Sequence, residues 1–299
     1  MKIQYFKSAW GDIRHSPGWF GKLCLLALLG FIPVFGQIVI LAYLFGWARE
    51  IAWAKHQPMP ARIIANDDGK FWRRGWFAFV LAVVFMLVPE IVAGLGKYLQ
   101  GLGYSYLFFS APKVTNPLLV NAGGVLAFIG RITAFAVVMF VWIGSMRVSI
   151  YDRLSAGFQL GKAWKMLRHD PKGALRVFAM ALLVGIVLSL ALAVITLILA
   201  LFVMNVGIAV LGGAGSYVNL DMLRFMSRGQ AWLFIGQICS AAGAFLVIAL
   251  AIWLFCLFLF TVFLQMLIYR AMGYWMMQFD ILHWGGQDDP MPFEIRGEQ

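Results

Sequence analysis

Long uncharged stretches divide this chain. No Asp, Glu, Lys or Arg occurs between Lys22 and Arg49, Arg74 and Glu90, Arg131 and Arg147, Arg176 and Asp221, or Arg228 and Arg270. About 18 or more consecutive apolar residues are enough to cross the hydrocarbon core as a helix. The pattern therefore predicts an all-α integral membrane protein with four full transmembrane helices, over roughly 75–96, 122–146, 177–203 and within 236–267. The last uncharged stretch is longer than one span needs. Either a single tilted helix continues through 229–269, or the Ser240-Ala241-Ala242-Gly243 step breaks it.

The first apolar stretch, 23–47, reads differently. Ile32-Pro33-Val34-Phe35-Gly36 sits at its centre, where proline removes a backbone donor and glycine adds freedom. Each arm beside the break has about ten residues, or roughly 15 Å of helix, half the hydrocarbon thickness. We read it as a re-entrant helical hairpin with Pro33 and Gly36 at its tip; a kinked full span is the alternative. Charge counting favours the hairpin. If both flanks share one face, 19 of the 24 Lys and Arg residues lie on the cytoplasmic side. Lys97, Lys113, Arg224 and Arg228 then lie outside, and Arg131 lies within the membrane. Lys and Arg bias sets orientation, so both termini are expected in the cytoplasm of a bacterial inner membrane.

Composition narrows the classes. Hydrophobic residues make up 62% of the chain and charged residues 12%, too few charges to clothe a water-exposed surface. The net charge of +11 falls in bands facing one side, which suits anionic lipid headgroups rather than nucleic acid. Cys24, Cys239 and Cys256 lie in apolar segments without CxxC pairing and read as small hydrophobes.

An internal echo divides the chain into halves, 1–153 and 154–299. The segment from Ala9 through Trp10, Arg14 and His15 to Pro17 recurs as Ala163, Trp164, Arg168, His169 and Pro171. Such self-similarity points to duplication. Ser16 or Asp170 can cap the helix that follows, with proline in its first turn. In the second copy Leu160, Ala163, Trp164 and Leu167 fall on one helical face, and Lys162, Lys165 and Arg168 on another. Two amphipathic interfacial helices are expected, with Arg14, Lys162, Lys165, Arg168 and Lys172 toward lipid headgroups. The tail around Asp288 and Asp289 reads as a solvated acidic end.

Leu28-Leu29-Gly30-Phe31-Ile32-Pro33-Val34-Phe35-Gly36, then Gly46-Trp47-Ala48-Arg49, Pro58-Met59-Pro60, Asp67-Asp68, Phe71 and Gly75 carry a resemblance. Over roughly residues 18–90 the chain resembles a family of prokaryotic multi-pass membrane proteins, a domain of unknown function (DUF4013). The resemblance implies the membrane architecture and no known activity.

Two charges interrupt the spans. Glu90 follows Pro89 in the first, and Arg131 lies within the second; at a helix centre an Arg costs at least about 2.5 kcal/mol. The two helices are antiparallel neighbours, so an ion pair is available that would line a polar cavity or gate; a structural clip is the plainer alternative. Ala181, Gly185, Ser189 and Ala193 recur every four residues as a helix-packing face. His15 and His169 read as interfacial, and no cofactor or metal site is expected. No phosphate loop, zinc-protease motif, serine elbow or catalytic carboxylate pair occurs, so no enzyme is expected. The expected role is a non-enzymatic structural or accessory subunit contacting lipids and other membrane-protein subunits. The alternative is a small-solute transporter component using Glu90 and Arg131.

Overall fold

The computed structural model describes residues 4–64, 68–105, 113–217 and 228–296, with side chains outside 105, 113, 207–242 and 296. Asp67 and Arg224, and the side chains of Lys113, Arg228 and Cys239, lie outside the described residues. The described chain is almost wholly helical, as its apolar periodicity requires. In order come α1 (Tyr5–His15), α2 (Trp19–Leu29), α3 (Phe35–Ala52), α4 (Phe71–Leu102), α5 (Pro117–Tyr151), the single turn α6 (Leu154–Gly157), α7 (Leu160–His169), α8 (Pro171–Tyr217), α9 (Arg228–Met277) and α10 (Pro292–Arg296). A two-residue antiparallel ladder, Tyr104–Ser105 with Lys113–Val114, closes the α4–α5 connection.

Five helices among the described residues are long and apolar enough to cross a membrane: the four long ones and α3. This exceeds the four spans expected from the sequence, because the second arm beside Pro33 runs on through Gly46-Trp47-Ala48-Arg49 to Ala52. The stretch 229–269 is one unbroken helix. Arg228 to Met277 passes the Ser240–Gly243 step without a turn, since small residues do not themselves break an α-helix.

Two long antiparallel pairs carry the fold. In α4–α5 the helices touch backbone to backbone at glycines. A Cβ on Gly96 would collide with the backbone of Ala127, and one on Gly123 with Gln100. One on Gly130 would strike Ala93. Such contacts let two helices gain dispersion energy where lipid removes any hydrophobic drive. The start of α5 is fixed by Asn116, whose Oδ1 accepts from the backbone of Leu118 at 3.1 Å and Leu119 at 3.3 Å, with Pro117 in the first turn. In α8–α9, Trp253 Nε1 donates to Thr196 Oγ1 at 2.9 Å.

The packed core lies at one end. There α1, α2, α3, α7 and the segment after α9 gather around Trp47, Trp275, Arg147, Arg270, Phe45 and Phe279, all fully buried. Away from that end, side chains such as Leu87, Val88, Phe128, Leu183, Val187, Leu190 and Leu197 stand exposed. A hydrocarbon solvent accommodates those faces; water would not.

The bend between α2 and α3 folds the chain back on itself. Lys22, in the first turn of α2, donates to Met59 O at 3.1 Å. From α3, Tyr43 OH reaches Pro60 O at 3.1 Å, and Trp47 Nε1 reaches Gln57 O at 3.2 Å. Both arms thus hang from the same 57–60 segment. At the bend, a Cβ on Gly36 would strike the Leu29 carbonyl, and Val34 takes φ 62°, a left-handed conformation costly for a β-branched residue.

Candidate functional site

Glu90 and Arg131 come together where α4 and α5 pass. Arg131 Nη1 lies 3.4 Å from Glu90 Oε1. Neither side chain is buried: Arg131 is 51% and Glu90 58% exposed. They stand on the wall of a crevice of about 350 Å³ between the two helix pairs. The rest of its lining is apolar and includes Phe135, Trp142, Phe178, Leu264 and Ile268. The Phe178 ring, from α8, meets Phe135 at 6.1 Å and Trp142 at 6.4 Å across the crevice.

The other residues singled out from the sequence are more scattered. Pro33 is exposed and Gly36 buried at the bend. Arg14, Arg168 and Lys172 are exposed. Ala181 is buried, Gly185 lies within reach of Leu264, and Ser189 and Ala193 are on open surface. Asp170 does cap α8, accepting from Gly173 N at 3.0 Å. Ser16 caps nothing: its hydroxyl donates to Asp12 O and accepts from Met59 N, and α2 begins after a left-handed Gly18.

Lys162 and Lys165 carry the C-terminal tail. Lys162 Nζ donates to Asp289 O at 2.7 Å, and Lys165 Nζ sits 3.2 Å from Glu294. Gln159 donates to Asp288 at 2.6 Å, and the Phe293 ring stacks on His169 at 4.5 Å. The tail is therefore docked on α7, which offers it both charge and an aromatic seat, while the Asp288 and Asp289 residues themselves stay exposed. Burial alone would raise the Glu294 carboxyl, but Lys165 and the Met291 N–H outweigh it and hold it below the usual carboxylate range. Leu160 and Trp164 of α7 stay exposed while Ala163 and Met166 pack inward.

Three arginine centres at the packed end escaped the sequence reading. Arg270 is 1% exposed; it donates to Asp12 Oδ2 at 2.6 Å, Trp47 O at 2.8 Å and Gln57 O at 3.1 Å, and lies over the Trp47 ring. Arg147 donates to Ala156 O at 3.1 Å and Gln159 Oε1 at 2.5 Å. Arg49 and Arg74 both bind Asp68 Oδ2. Burial alone would raise the Asp68 carboxyl, but the Lys70 N–H and the two guanidiniums pull it down to about 2. One signal was present: Arg147 and Arg270 each sit between apolar neighbours inside a helix, where a headgroup anchor would stand at its end.

The model of the family described as "Protein of unknown function (DUF4013)" matches residues 25–201, more than half of the chain. No curated protein and no solved structure matches it.

Proposed function

The chain belongs to the DUF4013 family of proteins of unknown function, and we propose that it is a non-enzymatic accessory subunit of a membrane complex, docking a partner's helix in the crevice beside Glu90 and Arg131. The single observation that carries this reading is the exposure of that ion pair part-way along two spans. A charged pair half open to hydrocarbon is costly. A partner helix with a polar side chain would cover it and fill the apolar walls.

The orientation follows from the charge bands. We place both termini in the cytoplasm of a bacterial inner membrane, with the packed end and its basic residues on that side. The α2–α3 bend then dips into the bilayer and returns. Its depth is supported by Gly30, which lies against the Phe258 ring. Phe258 precedes Arg270 on α9 by about 18 Å at 1.5 Å per residue. The backbone N–H groups of Phe31, Ile32, Phe35 and Gly36 at this tip are satisfied by turn hydrogen bonds within the bend, which lets it sit in hydrocarbon.

Purification from native membranes in mild detergent tests the reading. A stoichiometric partner should co-elute with the natural chain and be lost from Arg131→Leu, while that variant still inserts and melts normally. Elution as a lone chain, or an Arg131→Leu variant that keeps its partner, overturns it. The second reading, a small-solute transporter component, is favoured by the volume of the same crevice. Solute uptake by the lone chain in proteoliposomes, abolished by Glu90→Gln, would select it.

A further inference from the structure

A cavity of about 520 Å³ opens at the packed end, between the second half of α3, the 57–63 segment and the start of α4. Its polar wall is made by Tyr43, Arg49, Glu50, Arg62, Asp68 and Arg74. Arg74 is 4% exposed, and its guanidinium lies on the bare backbone of Gly46, where a Cβ would come within 2.8 Å of Nη1. Arg49 and Arg74 share the Asp68 carboxylate, and Arg49 also lies 4.0 Å from Asp152; with Arg62 and Glu50 the lining holds three arginines and two carboxylates, an excess of one positive charge. Arg62 also lines the cavity and makes no ion pair among the described residues, so the positive excess of this wall suits it to an oxyanion. Arg62 stands exposed at the rim.

Glu50 gives the cavity a second character. It is half-buried on the same wall and has no ion pair among the described residues. A simple dianion would meet its repulsion, and a simple cation would meet that of the arginines. A ligand with a phosphate beside an ammonium satisfies both. The size of the cavity is that of small-molecule sites in general. Trp47 lines it, and Trp53 neighbours Arg49, with the ring 5.1 Å from the guanidinium carbon. Trp53 is only half-buried, as suits a tryptophan at headgroup depth.

We infer that this cavity binds a phosphoethanolamine group, phosphate toward Arg49, Arg62 and Arg74 and ammonium toward Glu50. The group comes either as the headgroup of an aminophospholipid or as free phosphoethanolamine. The inference does not depend on what fills the crevice at Glu90 and Arg131, so each can fail alone.

The test is the melting of the full chain in detergent, with phosphatidylethanolamine, phosphatidylcholine, phosphatidylglycerol or free phosphoethanolamine added. A ligand that binds the folded state raises the midpoint. Phosphatidylethanolamine should do so clearly more than phosphatidylcholine, which lacks ammonium hydrogens, or phosphatidylglycerol, which lacks the cation. Stabilisation by free phosphoethanolamine as well would identify the soluble source; its failure beside the lipid's success would identify the lipid. Arg62→Gln, at the exposed rim, should weaken binding about tenfold, the effect of losing one charged hydrogen bond. Glu50→Gln should abolish the preference over phosphatidylglycerol. Equal stabilisation by all three lipids, or unchanged selectivity in Glu50→Gln, overturns the inference.

Discussion

Arg270 and Asp12, 258 residues apart in sequence, meet through a 2.6 Å hydrogen bond from Nε to Oδ2. The same carboxylate oxygen accepts from Tyr274 OH at 2.8 Å, and the same guanidinium holds carbonyls of Trp47 and Gln57. One side chain on α9 thereby gathers α1, α3 and the 57–60 segment, the strip from which both arms of the α2–α3 bend hang.

Replacing Arg270 with Met should destabilise the protein by about 3 kcal/mol, since removing one partner strands buried acceptors and a partly buried carboxylate. Asp12→Asn, which keeps an acceptor for the guanidinium, should cost less. Denaturant unfolding in mixed micelles measures both. Equal stabilities for Arg270→Met and the natural chain would remove this residue from its place as organiser of the packed end.

Asp68 sets an acid limit. Its carboxyl, at 3.8 ordinarily, is held at about 2 in the folded chain. A depressed folded value means the contribution to stability is complete above the unfolded pKa and is lost as pH falls through the folded one. Unfolding measured from about pH 5 down to about pH 2 should show a loss of stability that Asp68→Asn removes from the profile.

The glycine seam should be unforgiving. Gly130→Val forces α4 and α5 apart at Ala93, and overpacking of this kind costs about 1–3 kcal/mol. Gly94→Ala, one residue from Ala93 but in open space, is the control and should leave the melting temperature unchanged. If both variants melt alike, the backbone contact is not what holds the pair.

The tail on α7 should come off when its charges are screened or removed. Lys162 and Lys165 face Glu294, and Phe293 stacks between His169 and Phe279. Phe293→Ala combined with Glu294→Gln should expose the segment after Met277 to added protease several-fold faster than in the natural chain, with the long helices intact. Raising salt should shift the natural chain in the same direction. Unchanged cleavage rates in the double variant would mean the tail is held elsewhere.

Much of the architecture was legible in the chain itself. A span declares itself locally, because the free energy of moving a run of side chains into hydrocarbon sums over consecutive residues. The uncharged stretches that became α4, α5, α8 and α9 show it. So does the pairing of Glu90 with Arg131, which needs only antiparallel neighbours and a count of residues. The second arm beside Pro33 was read too short because its end is set by what Arg49 and Trp53 touch, not by hydropathy.

What the sequence by itself determined, then, is which segments are helical and apolar, and which charges fall within or beside them. Only the tertiary structure decided where those charges go. A basic residue flanking a span has the same local pattern whether it stands exposed, as Arg14 and Lys172 do, or fills the interior, as Arg147 and Arg270 do. The difference lies in partners supplied by distant segments. Asp12, the Trp47 carbonyl and Gln159 become acceptors only once the helices converge, and no run of neighbouring residues encodes that meeting.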